Sequence, residues 1–228
     1  MVMKTVCAIV VALGFAASGV ADPINVPAGG DIQAAINGAS NGDIIQLEAG
    51  EYFPTATIDT LGKEVSIIGA PDPKTGAPTS MIDGQDSIRV LQCSSGEGAG
   101  TVFENLVIQN GSADSGGGGM LNADSSPALT NCDFTDNSAT NSGGGMRNNS
   151  SSPTLSNCTF TDNSATWGGG MYNGQSSPTL ANCTFTNNVA TDDGGGMHNY
   201  YISRPTLTNC TFTNNSAYEG GGMRNYLS

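Results

Sequence analysis

One position changes while its surroundings repeat. The residue after each methionine of a recurring Gly-Gly-Met stretch reads Leu121, Arg147, Tyr172, His198 and Arg224. If the methionines point inward along a strand, their neighbours point outward. Aromatic residues gather nearby in sequence: Trp167, Tyr200, Tyr201, Tyr218 and Tyr226. Rings offer flat apolar faces to a sugar, while Arg and His donate hydrogen bonds. Arg147, Trp167, Tyr172, His198, Tyr200 and Arg224 therefore form the candidate ligand-binding set. Asp192, Asp193 and Glu219 precede the Gly runs and bring carboxylates to the same stretch. General acid–base chemistry needs such groups at short range. Their counterparts in other repeats are Asn, Thr or Trp, so no catalytic residue is assigned.

The elements that carry these residues follow from a period. Cys132, Cys158, Cys183 and Cys210 are spaced 26, 25 and 27 apart. Met120, Met146, Met171, Met197 and Met223 are spaced 26, 25, 26 and 26. Leu129, Leu155, Leu180 and Leu207 keep the same beat, as do Pro127, Pro153, Pro178 and Pro205. A repeat near this length is the mark of a solenoid. A leucine-rich repeat is disfavoured, with one Leu per repeat and no helical spacing of apolar residues. In N-C-T-F-T, apolar Cys and Phe alternate with Thr, which is the period of a strand. Leu of P-T-L and Met of G-G-G-M mark two further short strands, with turn-formers between.

Asn falls in three in-phase columns, with Asn131, Asn122 and Asn137 among their members. One column is expected near each strand junction, where Asn tolerates left-handed backbone. Stacked at about 4.8 Å, the strand separation of a sheet, their amides can bond along the axis. The Gly triplets serve tight corners and close coil contact. The expected fold is all-β: a right-handed parallel β-helix, a three-sheet solenoid of about 25–27 residues per coil.

Residues 1–21 carry Lys4, an apolar run and small residues before Asp22, the pattern of an export signal. Residues 22–101 are expected to hold a short capping helix and the first irregular coils. The helix falls in DIQAAINGAS (31–40), with Asp31 as N-cap and Ile32, Ala35 and Ile36 on one face. Residues 102–228 carry the regular repeats, left uncapped at the C-terminus, so either end-to-end self-association or a longer repeat array is the expectation.

The chain has 7 basic and 20 acidic residues; without Lys4 the balance is 6 against 20, or −14. Nucleic acid and anionic membranes attract positive charge, which excludes them as expected partners. The four stacked Cys are expected to be buried thiols, since parallel side chains hold their Cβ atoms too far apart for a disulfide. No metal site is expected, because His198 stands alone and no C-x-x-C pair exists.

The run from Ile32 through GDIIQLEAGEY and TLGKEVSIIG resembles the opening of pectate-lyase-like right-handed parallel β-helix proteins. The later repeats resemble those of chlamydial polymorphic outer-membrane proteins, with F-x-x-N at Phe134–Asn137, Phe160–Asn163, Phe185–Asn188 and Phe212–Asn215. Their G-G-A-I stands here as G-G-G-M. The resemblance implies the fold; one fold hosts many functions. Lyases of this fold use clustered carboxylates for calcium and an Arg or Lys base, so calcium is the one cofactor the resemblance leaves open. Thr159 and Thr161, Thr184 and Thr186, and Thr211 and Thr213 form a T-x-T array that resembles the ice-binding face of some antifreeze solenoids. The expected function is non-catalytic adhesion or binding of an extracellular polysaccharide or cell-surface glycan by a secreted or surface protein. A polysaccharide lyase or hydrolase and an ice-binding protein are the alternatives.

Overall fold

The computed structural model describes residues 22–227. The expected export signal lies outside the described residues. Each regular coil passes the same stations: Ala128–Thr130, Asp133–Thr135, Ser138–Ala139 and Met146–Asn149 make up one of them. Each strand pairs in parallel with its equivalent one coil on, Leu129 with Leu155, Phe134 with Phe160 and Met146 with Met171. The pairings build an eight-stranded sheet with Leu inside, a seven-stranded sheet with Phe inside and a seven-stranded sheet with Met inside. We call them the Leu, Phe and Met sheets.

A fourth, four-stranded ladder joins the three that were expected. It comprises Ser112–Ala113, Ser138–Ala139, Ser164–Trp167 and Val189–Asp193. Its strands are short and carry one small inward side chain each, such as Ala165 and Ala190. That leaves little apolar alternation to mark it in the sequence.

Like stacks on like in the core. Phe134, Phe160, Phe185 and Phe212 stack with centroids 4.7–4.8 Å apart and planes within 5°. Met146, Met171, Leu155, Leu180, Cys158 and Cys183 are fully buried. The thiols of Cys132, Cys158 and Cys183 are free and donate to the carbonyl two residues earlier at 3.4–3.5 Å. Their S–H groups also meet one another, and contact with Cys158 together with burial pushes the Cys183 thiol well above the usual range.

Most polar groups inside are satisfied by the coils above and below, while Asn122 Oδ1, at the start of its ladder, has no partner. Asn122, Asn148, Asn173 and Asn199 are fully buried in the Met sheet. Each Nδ2 donates to the Oδ1 of its equivalent one coil on, at 2.8–2.9 Å, and the chain ends on Asn225. A second buried ladder runs through Asn137, Asn163, Asn188 and Asn215 at 2.9–3.0 Å. Their Nδ2 groups reach carbonyls of the preceding coil as well.

Only one of the three Asn columns takes the left-handed corner. Asn105, Asn131, Asn157, Asn182 and Asn209 have φ of 51–56° between the Leu and Phe sheets. Beside the other two columns the left-handed residue is a neighbour: Asp136, Asp162 and Asn187 in one case, Asp124, Ser150 and Gln175 in the other. An amide buried as a relay must point inward, so the sharp bend falls on an exposed residue next to it. Gly takes the remaining corner. Gly143 has φ of 65°, and a Cβ on Gly144 would sit 2.4 Å from the Ser164 carbonyl of the next coil.

The helix spans Ile32–Gly38, and Asp31 caps it by accepting from the Ala34 N–H at 2.9 Å. Ile32 and Ile36 are buried in the continuous core, with Ala35 packed against it. Farther on, Glu97 is 2% exposed and accepts from the Thr60 and Ser125 hydroxyls and the Gly62 and Ser95 N–H groups. Burial penalises its anion, but these bonds outweigh that and hold the carboxyl at about 2.

Replacing Asn148 with Ala leaves the Asn122 amide without its acceptor and the Asn173 oxygen without its donor. We expect a loss of roughly 2–4 kcal/mol in urea unfolding, against about 0.5 kcal/mol or less for Thr184→Ala on the outer Phe-sheet face.

Candidate functional site

The corner at the later Gly triplets borders a cleft. It folds the residue before the glycines toward the residue after the methionine. Trp167, Asp193 and Glu219 form the row before the glycines, joined by parallel pairing of Trp167 with Asp193 and of Asp193 with Glu219. The register shifts between Ala165 and Trp167, an irregularity of the kind that re-aims a side chain. Across the corner, Arg147, Tyr172, His198 and Arg224 stand in register on the outer face of the Met sheet. Two residues farther along each strand, Gly174, Tyr200 and Tyr226 form a third row.

These rows enclose a cleft of about 530 Å³ lined by Trp167, Tyr172, Asp193, His198, Tyr200 and Tyr226. Four of the six expected ligand-binding residues meet in it: Trp167, Tyr172, His198 and Tyr200. Arg147 and Arg224 flank it. Tyr172 and Tyr200 have ring centroids 6.4 Å apart, and Tyr200 and Tyr226 lie parallel at 5.8 Å, so three rings follow the solenoid axis. Gly174 makes room for this row, because a Cβ there would sit 3.0 Å from the Tyr172 ring. Asp193 and Tyr226 were missed as ligand-binding residues. Both hold the register of named positions, so the period pointed at them.

His198 departs from the expected exposed column. It is 3% exposed. Tyr172 lies beside it one coil back at 5.5 Å and Tyr200 two residues along at 6.2 Å. A ring of the preceding coil and one of its own strand thus cover it. Neither ring nitrogen has a hydrogen-bond partner. The Asp193 carbonyl lies near, but not in the geometry of a bond. Burial pushes the imidazole below its usual value, Arg224 adds to that, and Asp193 opposes it. His198 is therefore the neutral floor of the cleft.

The two arginines are engaged in part, each with its Nε unpartnered. Arg224 is paired with Glu219 at 2.6 Å and lies 3.8 Å from Asp193. Its guanidinium also lies over Tyr226 at 5.8 Å. Arg147 donates to the Ser115 carbonyl and lies over the Tyr172 ring at 5.9 Å. Each holds a ring of the cleft in place by cation–π attraction. Among the described residues no three carboxylate, His or Cys side chains converge as a metal-binding group. The acids before the glycines come together in part: Asp193 and Glu219 share Arg224, while Asp192 is exposed.

A family model described as a right-handed beta helix region matches residues 79–228. The chain belongs to this right-handed β-helix family, and the fold expected from the repeat is the fold found. No curated protein matches the chain. No solved structure matches it either.

His198 is the only histidine in the chain, so its titration can be followed alone by NMR. Its folded value is depressed, so the stability it contributes is present above about pH 6.5 and is lost as pH falls through the folded value. We expect a midpoint below about 6.5, moving upward in Tyr172→Ala, which opens the ring to water.

Proposed function

We propose that the protein binds an extracellular polysaccharide or cell-surface glycan in the cleft between the Trp167 row and the Tyr172 row, without chemical turnover. The observation that carries this reading is the group of three rings, Tyr172, Tyr200 and Tyr226, drawn from two adjacent rows, faced by Trp167 and floored by His198. Ligand sites combine apolar aromatic walls with a few placed polar groups, and this cleft has both. Successive rings at one-coil spacing suit successive sugars of an extended chain. Binding without turnover is favoured because Arg224 is consumed by Glu219 and Asp193 and is not free to act as a base. The leading segment 1–21, read as an export signal, would take the protein to where such glycans are.

A glycan array followed by calorimetry tests this reading. Tyr172→Ala with Trp167→Ala should weaken binding by about tenfold or more, the scale of one lost aromatic contact. Equal binding by the double variant would remove the cleft as the site, and release of unsaturated or reducing sugar products would replace binding with catalysis.

The Phe sheet supports a second reading. Thr159, Thr184 and Thr211 stand in one outward row and Thr161, Thr186 and Thr213 in another. Two rows of hydroxyls and methyls at sheet spacing match the regularity of an ice surface. Thr159 already donates to Asp133 at 2.6 Å, which ends its row on an acid. Cooling a solution under a microscope decides it: thermal hysteresis abolished by Thr184→Lys supports ice binding, and none in the wild type rejects it.

A further inference from the structure

The floor of the cleft is built for one charge state only. His198 is 3% exposed, its two nitrogens are closed to solvent, and neither has a hydrogen-bond partner. A neutral ring bears this as one unmet N–H and one unmet lone pair. An imidazolium has two N–H donors and a full charge, and such a charge is not kept buried without partners or water. Proton uptake therefore requires that something in contact with the ring move.

The groups that face the ring show what can move. Tyr172 of the preceding coil and Tyr200 of the same strand lie against it at 5.5 and 6.2 Å. Arg224 of the following coil opposes a second cation, and Asp193 across the corner favours one. Glu219 is held by Arg224 at 2.6 Å, and Arg147 lies on the Tyr172 ring. The backbone is pinned: Met197 and Asn199 on either side of His198 are fully buried, and the strand is paired with a neighbour on both sides. Two exits remain for the charge. Tyr172 or Tyr200 swings aside and admits water, or Asp193 leaves Arg224, 3.8 Å away, and turns to the imidazolium. Tyr172, Tyr200 and Asp193 are all walls of the cleft, so either exit reshapes it.

We infer that the cleft is a proton switch: with His198 neutral its walls are in place, and protonation of His198 displaces them. On the reading that the cleft holds a glycan, this switch sets the pH range of binding, with the site formed at neutral pH and lost in acid. A ligand that requires the closed walls then resists protonation of the ring, and its uptake in acid expels the His198 proton to solvent. The opening itself needs no ligand.

The chain supplies both probes. His198 is its only histidine and Trp167, on the facing wall, its only tryptophan. The His198 ring is titrated by NMR from about pH 8 to about pH 4, and acrylamide quenching of Trp167 emission is followed over the same range on the full chain. Quenching should rise in one reversible step whose midpoint coincides with that of the ring, while far-UV circular dichroism shows the strands intact. The step should be lost in His198→Phe, which keeps a ring and takes no proton, and in His198→Gln, which keeps polar atoms and takes none. Thermal unfolding at neutral pH checks that both variants are folded. Quenching that stays flat across the range, whether or not the ring titrates, overturns the inference. A step that survives in either variant assigns the movement to carboxylates and overturns it too, as does a step that coincides with loss of the strands. None of these results bears on glycan binding, which the array decides. An array with no binding and an intact step removes the ligand and leaves the switch.

Discussion

The interaction on which the rest depends is the side-chain amide relay inside the Met sheet. Asn122, Asn148, Asn173, Asn199 and Asn225 pass one hydrogen bond from coil to coil. An amide both donates and accepts, so it can repeat indefinitely, but only if its equivalent lies directly above. A buried amide displaced by one residue would lose both partners, at a cost no surface contact offsets. The relay therefore fixes register, and register stacks the Phe rings, the thiols and the methionines. Hydrophobic burial alone would tolerate a slip that kept the apolar face inward by two residues; the amides do not.

That constraint assigns the surface its freedom. Inward positions repeat because each must match its neighbour along the axis. Outward positions on the Met sheet are released, and there Leu121, Arg147, Tyr172, His198 and Arg224 differ. The corner before the glycines is released too, since its backbone is held by main-chain bonds such as Gly168 N–H to the Asp193 carbonyl. Variation at those two places is brought face to face by the bend between them. A cleft can thus be written into the repeat without disturbing the core.

The period made the fold legible in the sequence, and it made the outer column legible as a column. It did not reveal which residue turns each corner. Asn137 and Asn163 look like corner residues in the sequence, yet they are interior relays, and the bend falls on Asp136 and Asp162. Propensity for left-handed backbone and capacity for laddering belong to the same residue type, so composition cannot separate them. The short fourth ladder was hidden for a different reason: Ser138–Ala139 carries no apolar alternation. The burial of His198 arises from Tyr172 of the preceding coil together with Tyr200 of its own strand, which only the stack brings together.

The same stacking bears on what the cleft can be asked to do. Its rings sit on backbone held on both sides by parallel pairing, and two are further held by arginines whose charge is spent on carboxylates, a carbonyl and the rings themselves. Such a site is preorganised, so little ordering is lost when a ligand lies along it. Preorganisation of this kind suits recognition of a stiff, extended chain. His198 and the first oxygen of the relay, Asn122 Oδ1, are buried without partners in an interior where amides otherwise relay from coil to coil.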